Sequence, residues 1–278
     1  MTPTGRDAPI GVFDSGIGGL TVLRALLGRL PRERYVYLGD TARLPYGTKS
    51  AASIARYSAQ AAGALVRRGV KCIVVACNTA SAVGLEAMRA CAVELPVIGV
   101  IEPGAEAACA ATARGHIAVV ATERTVSDGA YQEAIARRLP AAHVSARATP
   151  LFVALAEEGV TEGPITQAVV RHYLEPLFAG HTREAAEAPD TLVLGCTHFP
   201  LLATAIAAAL GPTVRIVDSA DTTARTVHAT LAAADLLRSA APGEVRFVAT
   251  DSLERFVRVG SRFLGHAIAP GQVELNDL

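Results

Sequence analysis

The sequence predicts an α/β protein whose strands form mostly parallel sheets. Short apolar runs alternate with longer helical stretches along the whole chain, the pattern of a βα series. Of the 278 residues, 51% are hydrophobic and only 5% aromatic, and alanine is abundant, which suits closely packed helices better than an aromatic-rich all-β core. Nine candidate strands are many for a single sheet, so two sheets are expected.

In chain order, strands are expected at residues 10–14, 35–39, 72–76, 97–100, 117–121, 143–146, 191–195, 214–217 and 245–249. Helical segments alternate with them at 18–30, 49–68, 81–93, 104–114, 127–139, 163–178, 201–210, 222–238 and 252–264. Glu102-Pro103-Gly104 follows a strand and marks a crossover between domains, and the polar, Ala/Glu-rich stretch 180–189 reads as a solvated surface loop. No solenoid repeat or low-complexity segment is visible.

Composition excludes several classes of function. The 26 basic residues balance the 26 acidic ones, so the electrostatic footprint of a general nucleic-acid binder is missing. No apolar run approaches the ~18–20 residues that span a bilayer, and residues 1–9 lack the apolar region of a secretory signal. Five cysteines without a CxxC pair argue against a disulfide framework or a zinc ribbon. A soluble protein of a reducing cytoplasm, with no metal site, is expected. Lys49 and Lys71 are the only lysines, so a lysine-dependent cofactor has few places to attach.

In an α/β sheet, ligands bind where strands end and helices begin. Cys77 and Cys196 both fall there, and their surroundings echo one another: Ile73-Val74-Val75-Ala76-Cys77-Asn78-Thr79 against Leu192-Val193-Leu194-Gly195-Cys196-Thr197-His198. Duplication and chance can each produce such an echo. A strand-end cysteine sits near backbone N–H groups and the positive end of a helix dipole, which favours thiolate. Cys72, Cys91 and Cys109 lie within strand or helix runs and read as small buried hydrophobes.

The first βα turn, Phe13-Asp14-Ser15-Gly16-Ile17-Gly18-Gly19-Leu20, stops short of a dinucleotide fingerprint because Thr21 stands at its last glycine position. Gly47-Thr48-Lys49-Ser50 likewise lacks the upstream glycine of a phosphate loop. The turn reads either as an anion-binding element or as an ordinary Asp/Ser helix cap; Asp14, a carboxylate at a strand end, would pair with a ligand ammonium. Residues 38–47 (LGDTARLPYG) form either a plain β-turn loop or one whose backbone amides reach a ligand. His198, two residues after Cys196, is a candidate proton partner.

Four strings in order then carry a family resemblance: Gly11-Val12-Phe13-Asp14-Ser15-Gly16-Ile17-Gly18-Gly19; Pro45-Tyr46-Gly47; Cys77-Asn78-Thr79-Ala80-Ser81; and Gly195-Cys196-Thr197-His198-Phe199-Pro200-Leu201-Leu202. With them the chain resembles the glutamate racemases of the aspartate/glutamate racemase family, cofactor-independent enzymes that make D-glutamate for bacterial peptidoglycan. The resemblance runs from about residue 9 to 264. It implies two similar α/β domains with the active site in the cleft between them, residues 1–100 plus 211–278 forming one and 101–210 the other. It also implies a homodimer. Cys77 and Cys196 match the family's two catalytic thiols, the first taking the proton from D-glutamate and the second from L-glutamate. Asp14 and His198 match residues that assist them, and Glu157 an accessory acid, with Glu158 beside it as a rival for that place. Asp14, Ser15, Tyr46, Gly47, Asn78, Thr79, Thr197 and His198 match substrate-binding positions, and Thr122 and Thr125 a threonine pair near the substrate. The family more often has Tyr at Phe199 and Cys at Thr149. Members with a long N-terminal extension respond to a peptidoglycan-precursor activator; with the first strand near residue 10, no such activation is expected. DNA gyrase enters as a partner through some family members alone, since nothing in the sequence supports it.

Racemisation needs one group to take the Cα proton and another to deliver one to the opposite face, which fits two echo-related thiols. A pyridoxal-phosphate racemase would need a Schiff-base lysine beside a phosphate cup, and neither lysine has one. A Cys196/His198 hydrolase leaves Cys77 idle and requires residues two apart in a turn to face each other. An aspartate racemase would use the same chemistry one carbon shorter. A non-catalytic two-domain binding protein has no need for both cysteines.

Overall fold

The computed structural model describes residues 5–178 and 188–278. Apart from Ala188 and Pro189, the loop expected over 180–189 lies outside the described residues. The strands are β1 Ile10–Asp14, β2 Tyr35–Gly39, β3 Cys72–Val75, β4 Val97–Gly99, β5 His116–Ala121, β6 His143–Ala148, β7 Thr191–Gly195, β8 Arg215–Asp218, β9 Val245–Ala249 and β10 Val273–Leu275. The helices are α1 Leu20–Arg29, α2 Ala51–Arg67, α3 Asn78–Val83, α4 Leu85–Cys91, α5 Ile101–Ala111, α6 Glu123–Asp128, α7 Ala130–Arg138, α8 Pro150–Glu158, α9 Pro164–Phe178, α10 Ala203–Leu210, α11 Ser219–Ala233 and α12 Leu253–Leu264.

Two compact units result, Met1–Val100 with Ala220–Leu278, and Ile101–Ser219. In the first, six parallel strands run in the order β10-β9-β2-β1-β3-β4. Every residue of β1, β2 and β3 is buried, as parallel strands covered on both faces must be. The alanine-rich α2 lays Ile54, Ala61, Ala62 and Leu65 into the cluster that holds Phe13, Leu38, Ile73 and Val75. Helices α1 and α12 pack on each other, and Phe256 of α12 holds its ring 6.0 Å from those of Tyr37 and Phe247.

The second unit repeats the arrangement in miniature. Four parallel strands run β6-β5-β7-β8, the strand order that β2-β1-β3-β4 shows in the first sheet. Phe152 of α8, Val170 and Leu174 of α9, and Ile206 of α10 cluster with Ala118, Val120, Leu192 and Leu194 of the sheet. The echo around the two cysteines is therefore topological as well: β3 and β7 are the third strands of equivalent four-strand sets.

Several elements depart from expectation. Strand β10 was not foreseen because Val-Glu-Leu is too short and polar to read as a strand; parallel pairing with β9, Val273 opposite Phe247, makes it one. The helix expected over 81–93 starts at Asn78 and breaks at Gly84, where any β-carbon would collide with Ser58 of α2. The one expected over 127–139 breaks at Gly129, whose φ of 75° is left-handed. Helix α8 was missed although proline at its first turn and Gly159 just past its end, at φ 74°, mark both boundaries. Glu102-Pro103-Gly104 is the first turn of α5, where proline needs no N–H, and Val100/Ile101 is where the units divide. The second unit runs on to Ser219 rather than ending near 210, because β8 hydrogen-bonds to β7.

One buried ion pair ties the first unit together. The Lys71 ammonium at the start of β3 donates to Glu33 Oε2 at 2.5 Å, to the Arg6 carbonyl at 2.7 Å and to the Leu236 carbonyl at 2.8 Å. Glu33 Oε1 in turn accepts from the Arg238 amide at 2.8 Å. Both side chains are essentially inaccessible. Lys71→Met leaves a buried carboxylate without its counter-charge and is expected to cost about 3–5 kcal/mol in urea unfolding, with Lys71→Met/Glu33→Leu recovering part. A single variant within ~0.5 kcal/mol of wild type would contradict this role.

Candidate active site

In an open α/β sheet the crevice opens where successive connections leave in opposite directions, at the C-terminal ends of the two strands between which the order reverses. In the first sheet those strands are β1 and β3. Their pairing sets Phe13 opposite Val75, and the Ala76 amide continues it by donating to the Phe13 carbonyl at 2.8 Å. The next residues on either strand are Asp14-Ser15 and Cys77. The Cys77 thiol donates to Ser15 Oγ at 3.3 Å, and its sulfur, capping α3, accepts from the Ala80 amide at 3.4 Å. Asn78 and Thr79 follow in the first turn of α3, each 3% exposed.

Asp14 is itself only 1% exposed. The Gly16 amide donates to its Oδ2 at 2.9 Å, and a β-carbon on Gly19 would lie 2.8 Å from its Cγ, so glycine there is what lets the carboxylate tuck under the start of α1. The carboxylate offered to a ligand ammonium by the sequence is thus engaged with the protein. Tyr46 is buried against Phe13 and Tyr57, and its hydroxyl donates to Asp40 Oδ2 at 2.5 Å. Burial, then the charge of Asp40, pushes that phenol far up, so it stays a donor. Thr250 Oγ1 and Arg43 Nε also donate to Asp40, each at 3.0 Å. The side chain of Tyr46 is therefore spent on holding the turn; what the Tyr46-Gly47 turn has left to offer a ligand is backbone.

In the second sheet the reversal falls between β5 and β7. Cys196 follows β7, with Ala121 opposite Gly195 in the register, and Thr122 follows β5. Thr122 caps α6 and lies 3.0 Å from the Thr125 hydroxyl. His198 Nδ1 stands 3.7 Å from Cys196 Sγ and 3.3 Å from Thr197 Oγ1, while Nε2 is 3.1 Å from Glu157 Oε1. Glu157, not the exposed Glu158, faces the histidine, because only it lies on the inward side of α8. Burial alone would lower the imidazole pKa, but hydrogen bonds and negative charge from Cys196 and Glu157 outweigh it and raise His198 from 6.5 to about 10. A turn does bring residues two apart face to face here, contrary to the expectation used against a Cys196/His198 pair.

Cys72 is buried as expected, but Cys91 is exposed and Cys109 partly so, since each lies on the outer side of its helix. Among the described residues no group of three or more His, Cys, Asp or Glu could hold a metal, and no helix is long and apolar enough to cross a membrane. Sequence reasoning missed Asp40 and Tyr37. The Tyr37 hydroxyl donates to the Gly16 carbonyl at 3.2 Å, near the charge of Asp14. Two tyrosines at alternate positions of a buried strand, the second just ahead of Gly39-Asp40, were the available signal.

The Asp/Glu/hydantoin racemase family model matches residues 17–227. The chain belongs to that family. A glutamate racemase of Geobacter metallireducens is 49% identical over 257 residues, 92% of either chain. The crystal structure of glutamate racemase from Francisella tularensis in complex with D-glutamate superposes with a TM-score of 0.89 at 36% identity, covering 98% of both chains. The Thermus thermophilus glutamate racemase in complex with β-chloro-D-alanine gives 0.85 at 42% identity over 99% of this chain and 98% of that one. Membership makes the chain a racemase, and the fold, two all-parallel sheets, is that of the solved glutamate racemases.

Because the native pKa of His198 lies above its unfolded value, the protonated imidazole contributes stability that is complete below pH ~6.5 and lost as pH rises towards about 10. Glu157→Gln removes one of the groups that raise it. In that variant the His198 ring, followed by 15N NMR, is expected to titrate at lower pH than in wild type, and the loss of stability to start correspondingly earlier. An unchanged titration would contradict the Glu157 contact.

Proposed function

We propose that the chain interconverts L- and D-glutamate by a two-base proton transfer at Cα, without a cofactor. One thiolate takes the Cα proton and becomes a thiol; the electron pair stays on the carbon; the other thiol gives its proton to the opposite face and becomes the thiolate. Cys77 serves D-glutamate and Cys196 L-glutamate. Asp14 assists the first thiol, and His198, with Glu157 behind it, the second. The observation that carries this reading is the equivalence of the two thiols: each follows the strand at which its sheet reverses order, and each has its own polar neighbour, Ser15 or His198. A Cys196/His198 hydrolase leaves Cys77 idle, and a binding protein has no need for both cysteines.

The Cα–H bond of an amino-acid carboxylate is far less acidic than a thiol, so most of the barrier must be removed by stabilising charge on the substrate. Ser15, Asn78, Thr79, Thr197 and the backbone of the Tyr46-Gly47 turn supply donors for the two carboxylates. Glutamate, rather than its shorter homologue, is supported by relatives named for it across most of the chain. Lys71 is consumed by Glu33, which leaves Lys49 alone for a Schiff base. Peptidoglycan synthesis in the cytoplasm is the destination of the D-glutamate, and the working form is a homodimer.

Cys77→Ser and Cys196→Ser are each expected to lower kcat/KM for racemisation by about 10²–10⁴-fold, the scale of a general acid–base group. The double variant should be little worse than either single, since both bases act in one reaction. Polarimetry with L- and with D-glutamate reads both, on enzyme dialysed free of added cofactors. Near-wild-type turnover by either single variant would sink the two-base reading.

A further inference from the structure

We propose that Tyr37 is a positioning residue for the Cys77 half of the reaction, acting through the Asp14-Ser15-Gly16 turn. The inference rests on the two-base reading and extends it to a residue that touches neither thiol's proton.

Tyr37 is fully buried in the middle of β2, with its ring tilted against those of Phe247 and Phe256 at centroid distances of 6.4 and 6.0 Å. Its hydroxyl leaves that apolar wall at one point and meets the turn that holds Ser15. It donates to the Gly16 carbonyl at 3.2 Å, and the Asp14 carboxylate stands near enough for its charge to raise the phenol. The Gly16 amide closes the same turn by donating to Asp14 Oδ2 at 2.9 Å. Ser15 is thereby clamped on either side, and Ser15 Oγ is the atom that the Cys77 thiol meets at 3.3 Å. The backbone is fixed from below as well: a β-carbon on Gly39 would collide with the Gly16 carbonyl, so β2 presses directly on the turn.

The hydroxyl is a permanent donor. Burial first, then the negative charges of Asp14 and Cys77, raise the phenol well above its ordinary value. When charge moves onto or off Cys77, the turn beside it therefore stays in one arrangement and does not reorganise, which is what preorganisation requires. Tyr35, two residues earlier on the same strand, provides an internal comparison. It too is buried, and its hydroxyl donates to the Leu26 and Leu30 carbonyls at 3.1 and 2.9 Å, away from Asp14. Loss of that hydroxyl perturbs the fold without touching the Asp14 turn.

The test compares Tyr37→Phe with Tyr35→Phe, using glutamate deuterated at Cα in both directions. Tyr37→Phe is expected to lower kcat about 3–10-fold, the scale of a lost neutral hydrogen bond, with KM little changed. The deuterium isotope effect should rise for D-glutamate, whose label passes to Cys77, and should not rise for L-glutamate. Tyr35→Phe should leave both isotope effects as in wild type. Isotope effects that stay at wild-type values in Tyr37→Phe, or rise equally in both directions, would overturn the proposal while leaving the racemase reading intact. A wild-type enzyme inert towards both enantiomers would overturn both. Should Tyr37→Phe not fold, 3-fluorotyrosine at position 37, a stronger donor of nearly the same size, must alter the D-glutamate isotope effect more than the L-glutamate one; equal or absent changes would again overturn it.

Discussion

Parallel pairing of a first strand with a third, at the point where strand order reverses, is the constraint on which the candidate site depends. In the first unit β1 and β3 end together, so Asp14-Ser15 and Cys77 emerge side by side. In the second unit β5 and β7 do the same for Thr122 and Cys196. Because strand side chains alternate faces and both faces are buried, a slip of one residue in either pairing would exchange the side chains packed on the two sides of the sheet and spoil both packed layers. Burial on both faces of the sheets thus fixes the register, and the register fixes which residues stand at the edge. The chemistry at that edge follows from core packing several residues below it.

The two thiols share a topological place but not an environment. Cys77 meets a serine hydroxyl, within a turn that carries a buried carboxylate and is held by a buried phenol. Cys196 meets an imidazole that Glu157 helps keep protonated, an electrostatic partner for negative charge on the sulfur. A racemase must run in both directions, yet its two halves need not be chemically alike. In the two-base reaction proposed above, each half has only to exchange a proton with the substrate Cα, and unlike neighbours would give the two thiols distinct duties. The repeated strand order gives the two thiols equivalent places, and their unlike neighbours distinguish them.

Much of this was legible in the sequence because the strongest signals are local. Continuous apolar runs such as Ile10–Asp14 and Cys72–Val75 announce buried parallel strands, and a cysteine followed by Asn or Thr announces a strand end opening into a helix. What stayed hidden depends on contacts between distant residues. Val273–Leu275 becomes a strand only because β9 is there to pair with it. Position 84, where the helix breaks, must be glycine because Ser58 of α2 occupies the space of a β-carbon. The choice between Glu157 and Glu158 needs the rotation of α8 about its axis, and the role of Tyr37 needs the position of Gly16. No spacing rule reports either.

The central claim is that the proton leaving Cα and the proton arriving belong to different groups. It is tested most directly by following L-glutamate in D2O with wild-type enzyme, by circular dichroism and proton NMR together. The account predicts that D-glutamate forms with deuterium at Cα while, early in the reaction, the remaining L-glutamate keeps its protium. Inversion with protium retained in the product, or exchange into L-glutamate ahead of inversion, would mean that a single base serves both faces and would contradict it.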